Sequence, residues 1–131
     1  MKMLSETGVD IAVLSGRTSP AVAQRMQGLG IEHVYQGHVD KLPPFLSLLS
    51  ELDLSPEQVA YVGDDVVDLP VMLRVGLAIA VQDAHPLVVS RAHWRTAQGG
   101  GRGAAREVCE LIMQAQGSWD AQIQKYLHGY S

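Results

Sequence analysis

Short apolar runs alternate with amphipathic stretches along the chain, and this alternation predicts an α/β fold with a mostly parallel sheet. The apolar runs predict strands at residues 9–14, 33–35, 59–62, 77–81 and 93–95. Apolar residues at helical spacing predict helices between and after them. One begins at Pro20, one carries an apolar stripe at 45–52, a short one runs over about 69–75, one opens at Pro86, and the last has an apolar face at 105–115. Right-handed crossovers between parallel strands would assemble these elements into a three-layer open sheet.

Composition and length fit one domain and exclude several classes of protein. The 131 residues are 47% hydrophobic and 18% charged, which excludes a disordered chain and allows a sizeable core. A net charge of −4 argues against a nucleic-acid or bilayer binder. No apolar run approaches the roughly 18 residues of a membrane span, and residues 1–6 lack the apolar core of a signal peptide.

The cysteine content bears on the compartment. Cys109 is the only cysteine in the sequence and cannot form an internal disulfide, so a reducing, cytoplasmic location is expected. It lies on the apolar face of the last predicted helix, which predicts a buried thiol that packs as a small hydrophobic side chain.

Polar residues directly follow three of the predicted strands, where the loops of an open parallel sheet usually bind ligands. Ser15, Gly16 and Arg17 follow the first strand, and Lys41 lies in the turn after the second. Residues 63–68, with the sequence Gly-Asp-Asp-Val-Val-Asp, follow the third. A hydroxyl, an ammonium and three carboxylates therefore occur in that order, each just after an apolar strand.

The carboxylates of Asp64, Asp65 and Asp68 admit two interpretations. Like charges crowded within five residues favour a cation, and Mg²⁺ prefers carboxylate oxygens while keeping waters that a phosphate can displace. The alternative is a polar turn in which Asp68 only favours the N-terminus of the next helix. The position directly after an apolar strand favours the metal site.

The hydroxyl and the cations have equally simple alternatives. Ser15 and the backbone amides after it could hold a phosphate oxygen, or Ser15 could be a turn residue or helix cap. Lys41 suits phosphate as a point charge, or it is a solvated lysine at a helix start. Arg17 could meet an anion or remain solvated. The glycine-rich loop at 99–103 either presents Arg102 or acts as a plain linker.

Together these segments resemble the later motifs of the haloacid dehalogenase superfamily of phosphatases. The resemblance is carried by Val13-Leu14-Ser15-Gly16-Arg17, by Lys41 and by Tyr61-Val62-Gly63-Asp64-Asp65-Val66-Val67-Asp68. Segments at 29–37, 83–86 and 100–110 resemble a branch of that superfamily that acts on an eight-carbon acidic sugar phosphate.

The resemblance implies a Mg²⁺-dependent phosphomonoesterase of lipopolysaccharide biosynthesis, with the superfamily fold and little or no cap domain. In this family Ser15 would hold the transferring phosphoryl group and Lys41 would neutralise it. Asp64 would ligate Mg²⁺, with Asp65 and Asp68 ligating or orienting from close by. Ser15, Lys41 and Asp65 are then the expected catalytic residues, and all three aspartates are expected at the metal.

The resemblance also implies substrate contacts and partners. The expected substrate-binding residues are Ser15, Gly16, Arg17, Lys41 and Arg102. The partners would be a small sugar phosphate and further copies of the chain in a homotetramer, without nucleic acid or membrane. Residues 1–117 would form the phosphatase core and 118–131 a helical tail, and Arg102 and the tail are candidates for closing a neighbouring copy's site.

One departure from the superfamily pattern concerns the nucleophile. The superfamily begins with a strand that ends in Asp-x-Asp, whose aspartates act as nucleophile and general acid/base, and this sequence has no such strand. Asp10, the only aspartate before Ser15, precedes an apolar run instead of ending one. A phosphate would then be bound but not transferred. The alternative to the enzyme is therefore a non-catalytic module that keeps the fold, the oligomer surface and anion or Mg²⁺ binding.

The same departure has a structural consequence. By resemblance, the missing first strand lies between the strands at 9–14 and 59–62. We expect these strands to pair directly, another chain to occupy the position between them, or the product to be poorly stable. A truncated gene product or a late start codon is the expected explanation for Met1.

Overall fold

The secondary structure follows the predicted order of elements. A computed structural model describes residues 8–15, 20–29, 31–37, 39–100 and 103–116. Its strands are β1 (Ala12–Leu14), β2 (His33–Tyr35), β3 (Ala60–Gly63), β4 (Leu77–Ala80) and β5 (Trp94–Arg95). Its helices are α1 (Pro20–Gly28), α2 (Leu42–Leu52), α3 (Leu69–Met72), α4 (Pro86–Arg91) and α5 (Ala104–Gln116). In these ranges no helix has the length and apolarity to span a bilayer.

Two local features near helix starts matter for the site. Helix α2 begins at Leu42, three residues before its predicted apolar stripe, because prolines are tolerated in a first helical turn that needs no amide donors. This start places Lys41 at the N-cap position. A 3₁₀ turn, Val66–Asp68, precedes α3, so the acidic segment is itself part of an ordered turn.

The strands form two parallel sheets. β1 pairs with β2, and β3, β4 and β5 form a second sheet in that order. The predicted α/β class with open parallel strands is confirmed, and the described strands form it as two separate sheets. Among the described strands β1 bonds only to β2, so direct pairing of the first and third strands does not occur. Occupation of the position between them by another chain, and poor stability, remain predictions.

Among the described strands, β3 lies at one edge of the second sheet. The backbone amides of Leu77 and Val81 donate to the carbonyls of Val59 and Gly63, so alternate residues of this segment bond to β4. By the same alternation the backbone groups of Ala60 and Val62 point towards the opposite edge. Such an edge can accept a further strand.

Two apolar clusters hold the elements together. The larger cluster lies between the second sheet and helices α2, α3 and α4, and its buried residues are Phe45, Leu49, Val71, Met72, Val75, Ala78, Ala80 and Val88. Leu14, the last residue of β1, packs against it and so joins the small sheet to this core. In the second cluster Cys109 and Met113 of α5 contact Val9 and Ile11. The prediction of a buried cysteine is confirmed.

Candidate active site

The loops that leave β2 and β3 meet, although these strands belong to different sheets. Lys41 lies between β2 and α2, and its Nζ lies 2.7 Å from Oδ1 of Asp68 in the turn after β3. Both side chains are largely buried, with 11% and 2% of their surfaces exposed. The ion pair therefore draws the ammonium and the acidic turn together at the carboxyl ends of the strands.

Asp68 is the centre of this hydrogen-bond network. Its Oδ1 accepts from Lys41 Nζ at 2.7 Å and from the Tyr61 hydroxyl at 2.6 Å. Its Oδ2 accepts from the backbone amides of Asp64 at 2.9 Å and Asp65 at 3.2 Å. Each carboxylate oxygen thus receives two donors, which is the full complement of its lone pairs.

The local sequence explains why Asp68 folds back onto the turn. Asp65 begins the 3₁₀ turn, and its Oδ1 accepts from the amide of Val66 at 2.7 Å. Gly63 ends β3, and a Cβ there would lie 2.5 Å from Sδ of Met72 and 2.9 Å from Cβ of Asp68. Only a residue without a side chain allows Asp68 to approach the strand so closely.

Donors surrounding Asp68 determine its protonation. Burial alone would raise the pKa of its carboxyl group, but hydrogen bonds from Lys41, Tyr61 and the two backbone amides hold that pKa below its ordinary value. Burial, followed by the hydrogen bond and charge of Asp68, raises the pKa of the Tyr61 hydroxyl. Asp68 is therefore the charged acceptor of the network, and Tyr61 remains a protonated donor.

The pKa of Asp64 is shifted in the opposite direction to that of Asp68. Partial desolvation, together with the hydrogen bond and charge of Asp68 and the charge of Asp65, raises the pKa of Asp64, and Lys41 offsets only part of this effect. Its backbone carbonyl accepts from the amide of His85 at 2.9 Å, which ties the acidic turn to the loop after β4. Among the described residues, the Lys41 ammonium is set against the carboxylates of Asp64, Asp65 and Asp68, so this part of the turn keeps an excess of negative charge.

Of the other predicted site residues, the structure describes only Ser15. Ser15 directly follows β1, and its backbone amide donates to the carbonyl of Tyr35 at 2.8 Å. Gly16, Arg17 and Arg102 lie outside the described residues. Asp10 lies before β1, at the opposite end of the strand from Ser15.

The base of the glycine-rich loop is held by two carboxylates. Oδ1 of Asp83 accepts from the amide of Gly100 at 3.0 Å. Glu107 of α5 accepts from the amides of Ala97 and Gln98 at 2.9 to 3.0 Å. The N-terminal side of the loop is therefore anchored, and the presentation of Arg102 remains a prediction.

Two contributors to the site were not expected from the sequence. Tyr61 donates to Asp68 from within β3, and the backbone amide of His85 holds the carbonyl of Asp64. A tyrosine in an otherwise small and aliphatic strand, seven residues before the last aspartate, is the signal that could have identified the first. The His85 contact is made by the backbone and leaves no signal in the sequence.

Comparison with known proteins identifies the family. Residues 30–107 match the haloacid dehalogenase-like hydrolases, so the chain belongs to this family. It is 50% identical over 116 residues to the 3-deoxy-D-manno-octulosonate 8-phosphate phosphatase of Yersinia pestis, an alignment that covers 88% of this chain and 62% of that protein. For the same enzyme of Escherichia coli K12, the identity is 52% over 112 residues, covering 86% of this chain and 60% of the relative.

Solved structures agree with this assignment. A probable YrbI family phosphatase from Pseudomonas syringae superposes with a TM-score of 0.94 at 52% identity, covering 98% of this chain and 73% of that one. The phosphatase of Moraxella catarrhalis, in complex with magnesium ion, phosphate ion and KDO, gives a TM-score of 0.92 at 37% identity, covering 95% and 72%.

The resemblance seen in the sequence is thus confirmed, at the level of the superfamily and of this branch of phosphatases. The chain spans only about three fifths of the length of these curated relatives, 62% and 60% respectively.

Proposed function

We propose that this chain is a Mg²⁺-dependent phosphatase that acts on 3-deoxy-D-manno-octulosonate 8-phosphate, releasing the free sugar acid and phosphate. The observation that carries the proposal is the ion pair of Lys41 with Asp68, which places an ammonium beside the Asp64–Asp65 turn at the strand ends. The names of the relatives supply the substrate, a phosphomonoester of an acidic sugar.

Lys41 is suited to neutralise a phosphate. An ammonium has three N–H donors, and Asp68 occupies one of them. The salt bridge fixes the direction of the side chain, so the remaining donors need little reorganisation to meet a phosphate oxygen. Ser15 would offer its hydroxyl from the end of β1, and Gly16, Arg17 and Arg102 remain proposed substrate contacts.

The acidic turn has the donor chemistry that Mg²⁺ requires. Asp64 and Asp65 are exposed carboxylates on a fixed backbone turn. Partial burial, and then the hydrogen bond and charge of Asp68, raise the pKa of Asp64, and a bound cation would relieve this repulsion. Asp64 is therefore the proposed principal ligand, with Asp65 beside it. When bound, Mg²⁺ would neutralise charge on the phosphate. Asp68 already accepts four hydrogen bonds, so its proposed role is to orient the ligands.

A second candidate is a non-catalytic module that binds Mg²⁺ and phosphate. The lack of an Asp-x-Asp motif in this sequence favours it, because no aspartate is then placed to act as the nucleophile. A homotetramer and a cytoplasmic location remain proposals under either candidate.

Phosphate release from 3-deoxy-D-manno-octulosonate 8-phosphate separates the two candidates. The purified chain is assayed with Mg²⁺ and with EDTA, and the phosphatase predicts release that EDTA abolishes. The non-catalytic module predicts background release in both conditions, together with Mg²⁺-dependent binding of orthophosphate in calorimetry. That outcome would refute the enzyme. Absence of both release and binding would overturn both candidates.

A further inference from the structure

Tyr61 contributes to the site through a hydroxyl that the proposed function does not use. It lies within β3, paired with Ala78 of β4, and its side chain packs against the main apolar core. Strand pairing fixes the backbone of Tyr61 and packing against the core restrains its ring, so its hydroxyl has a defined position. That position is 2.6 Å from Oδ1 of Asp68.

This hydrogen bond is of the strong, charge-assisted kind. An O–H donor to a carboxylate typically lies at about 2.5–2.7 Å and is roughly twice as strong as a neutral pair. Tyr61 and Lys41 share one oxygen of Asp68, while the turn amides take the other. The carboxylate is thus held from three directions: by the core through Tyr61, by Lys41, and by the turn.

We propose that Tyr61 is a positioning residue that holds the Asp68 carboxylate, so that Lys41 and the Asp64–Asp65 turn face the same Mg²⁺ and phosphate. The inference rests on the proposed function. Without the hydroxyl, Oδ1 of Asp68 keeps only Lys41, which draws the ammonium towards the carboxylate. The carboxylate also gains freedom to rotate, which loosens its bonds to the turn amides.

Tyr61→Phe tests the proposal, because phenylalanine keeps the ring in the core and removes only the hydroxyl. Tyr35→Phe is the matched control, since the Tyr35 hydroxyl also donates to a carboxylate, that of Glu51, at 3.1 Å on the surface. Calorimetry measures the binding of Mg²⁺ and of orthophosphate at a temperature where circular dichroism shows both variants folded. Amide hydrogen exchange measures protection of the Asp64 and Asp65 amides without any ligand.

For Tyr61→Phe we expect an about tenfold weaker affinity for orthophosphate in the presence of Mg²⁺, the effect of losing one hydrogen bond to a charged group. We also expect faster exchange at Asp64 and Asp65, with unchanged exchange at Val81, whose amide bonds to Gly63. Tyr35→Phe should leave all of these values unchanged.

Affinity and protection in Tyr61→Phe that equal those of the wild type would overturn the proposal. A loss of protection at Val81 as large as that at Asp64 and Asp65 would also overturn it, because it indicates a general structural role. If the wild-type chain binds neither Mg²⁺ nor orthophosphate, the proposed function fails, and exchange alone decides on Tyr61. Faster exchange confined to Asp64 and Asp65 then supports the positioning of Asp68, and unchanged exchange refutes it.

Discussion

Asp68→Asn is expected to lower the free energy of unfolding by about 3–5 kcal/mol, the cost of removing one partner from a buried ion pair. The Asp68 carboxylate accepts four hydrogen bonds, two at each oxygen. An amide of the same shape has one accepting oxygen, and its NH₂ group must face either the Lys41 and Tyr61 donors or the two turn amides. In the variant the largely buried ammonium of Lys41 also loses its counter-charge. Urea denaturation of the purified chain measures the difference.

Asp53→Asn provides the matched control for this substitution. Asp53 is exposed and has a left-handed backbone conformation, φ 54°, that asparagine also adopts readily. We expect Asp53→Asn to change the free energy of unfolding of the chain by no more than about 0.5 kcal/mol. A cost below about 1 kcal/mol for Asp68→Asn would contradict the proposed importance of the network.

The stability effect of Asp68 should also depend on pH. Because the folded pKa of Asp68 lies below its ordinary value, its contribution to stability is fully present above the unfolded pKa of about 4. It is lost as the pH falls through the lowered folded pKa. The stability difference between wild type and Asp68→Asn should therefore shrink in acid, when the wild-type carboxylate becomes protonated too.

Asp64→Ala is expected to weaken Mg²⁺ binding by about a hundredfold or more. Loss of an outer-shell partner typically costs about 10–100-fold in metal affinity, and a direct ligand should contribute at least as much. The backbone of the turn should remain in place, because Asp68 bonds to the amide of Asp64 and His85 to its carbonyl, and neither bond uses the side chain. Isothermal titration calorimetry measures the affinity.

Asp10→Ala removes an exposed carboxylate at the other end of β1 and serves as the control for this loss of charge. It should bind Mg²⁺ as tightly as the wild type. Unchanged Mg²⁺ affinity in Asp64→Ala would show that the metal assignment is wrong.

Much of the fold was predictable from local patterns, because each strand is short and apolar and is bounded by turn residues. Each of the five expected strands occurs at its predicted place, and Cys109 is buried as the apolar face of α5 indicates. The division into two sheets was not predictable from these patterns, because strand order depends on long-range partners. By resemblance, the sequence indicated a missing strand between 9–14 and 59–62, but not which of three outcomes would follow.

The candidate site was predictable as a set of residues but not as a network. Chain order placed Lys41 and the three aspartates after parallel strands, and the structure joins Lys41 to this acidic turn. The sequence could not distinguish a metal ligand from an orienting group, because Asp64 and Asp68 have the same chemistry. Their proposed roles differ because Asp68 receives four hydrogen bonds, whereas the side chain of Asp64 lies exposed beside it.

A crystal structure of the chain grown with Mg²⁺ and orthophosphate tests most directly whether one ion and one phosphate share this site. We expect Mg²⁺ at about 2.1 Å from a carboxylate oxygen of Asp64. The phosphate should lie within hydrogen-bond distance of both the Ser15 hydroxyl and the Lys41 ammonium. A well-ordered phosphate that meets neither group, or a Mg²⁺ ion bound away from Asp64, would contradict the account.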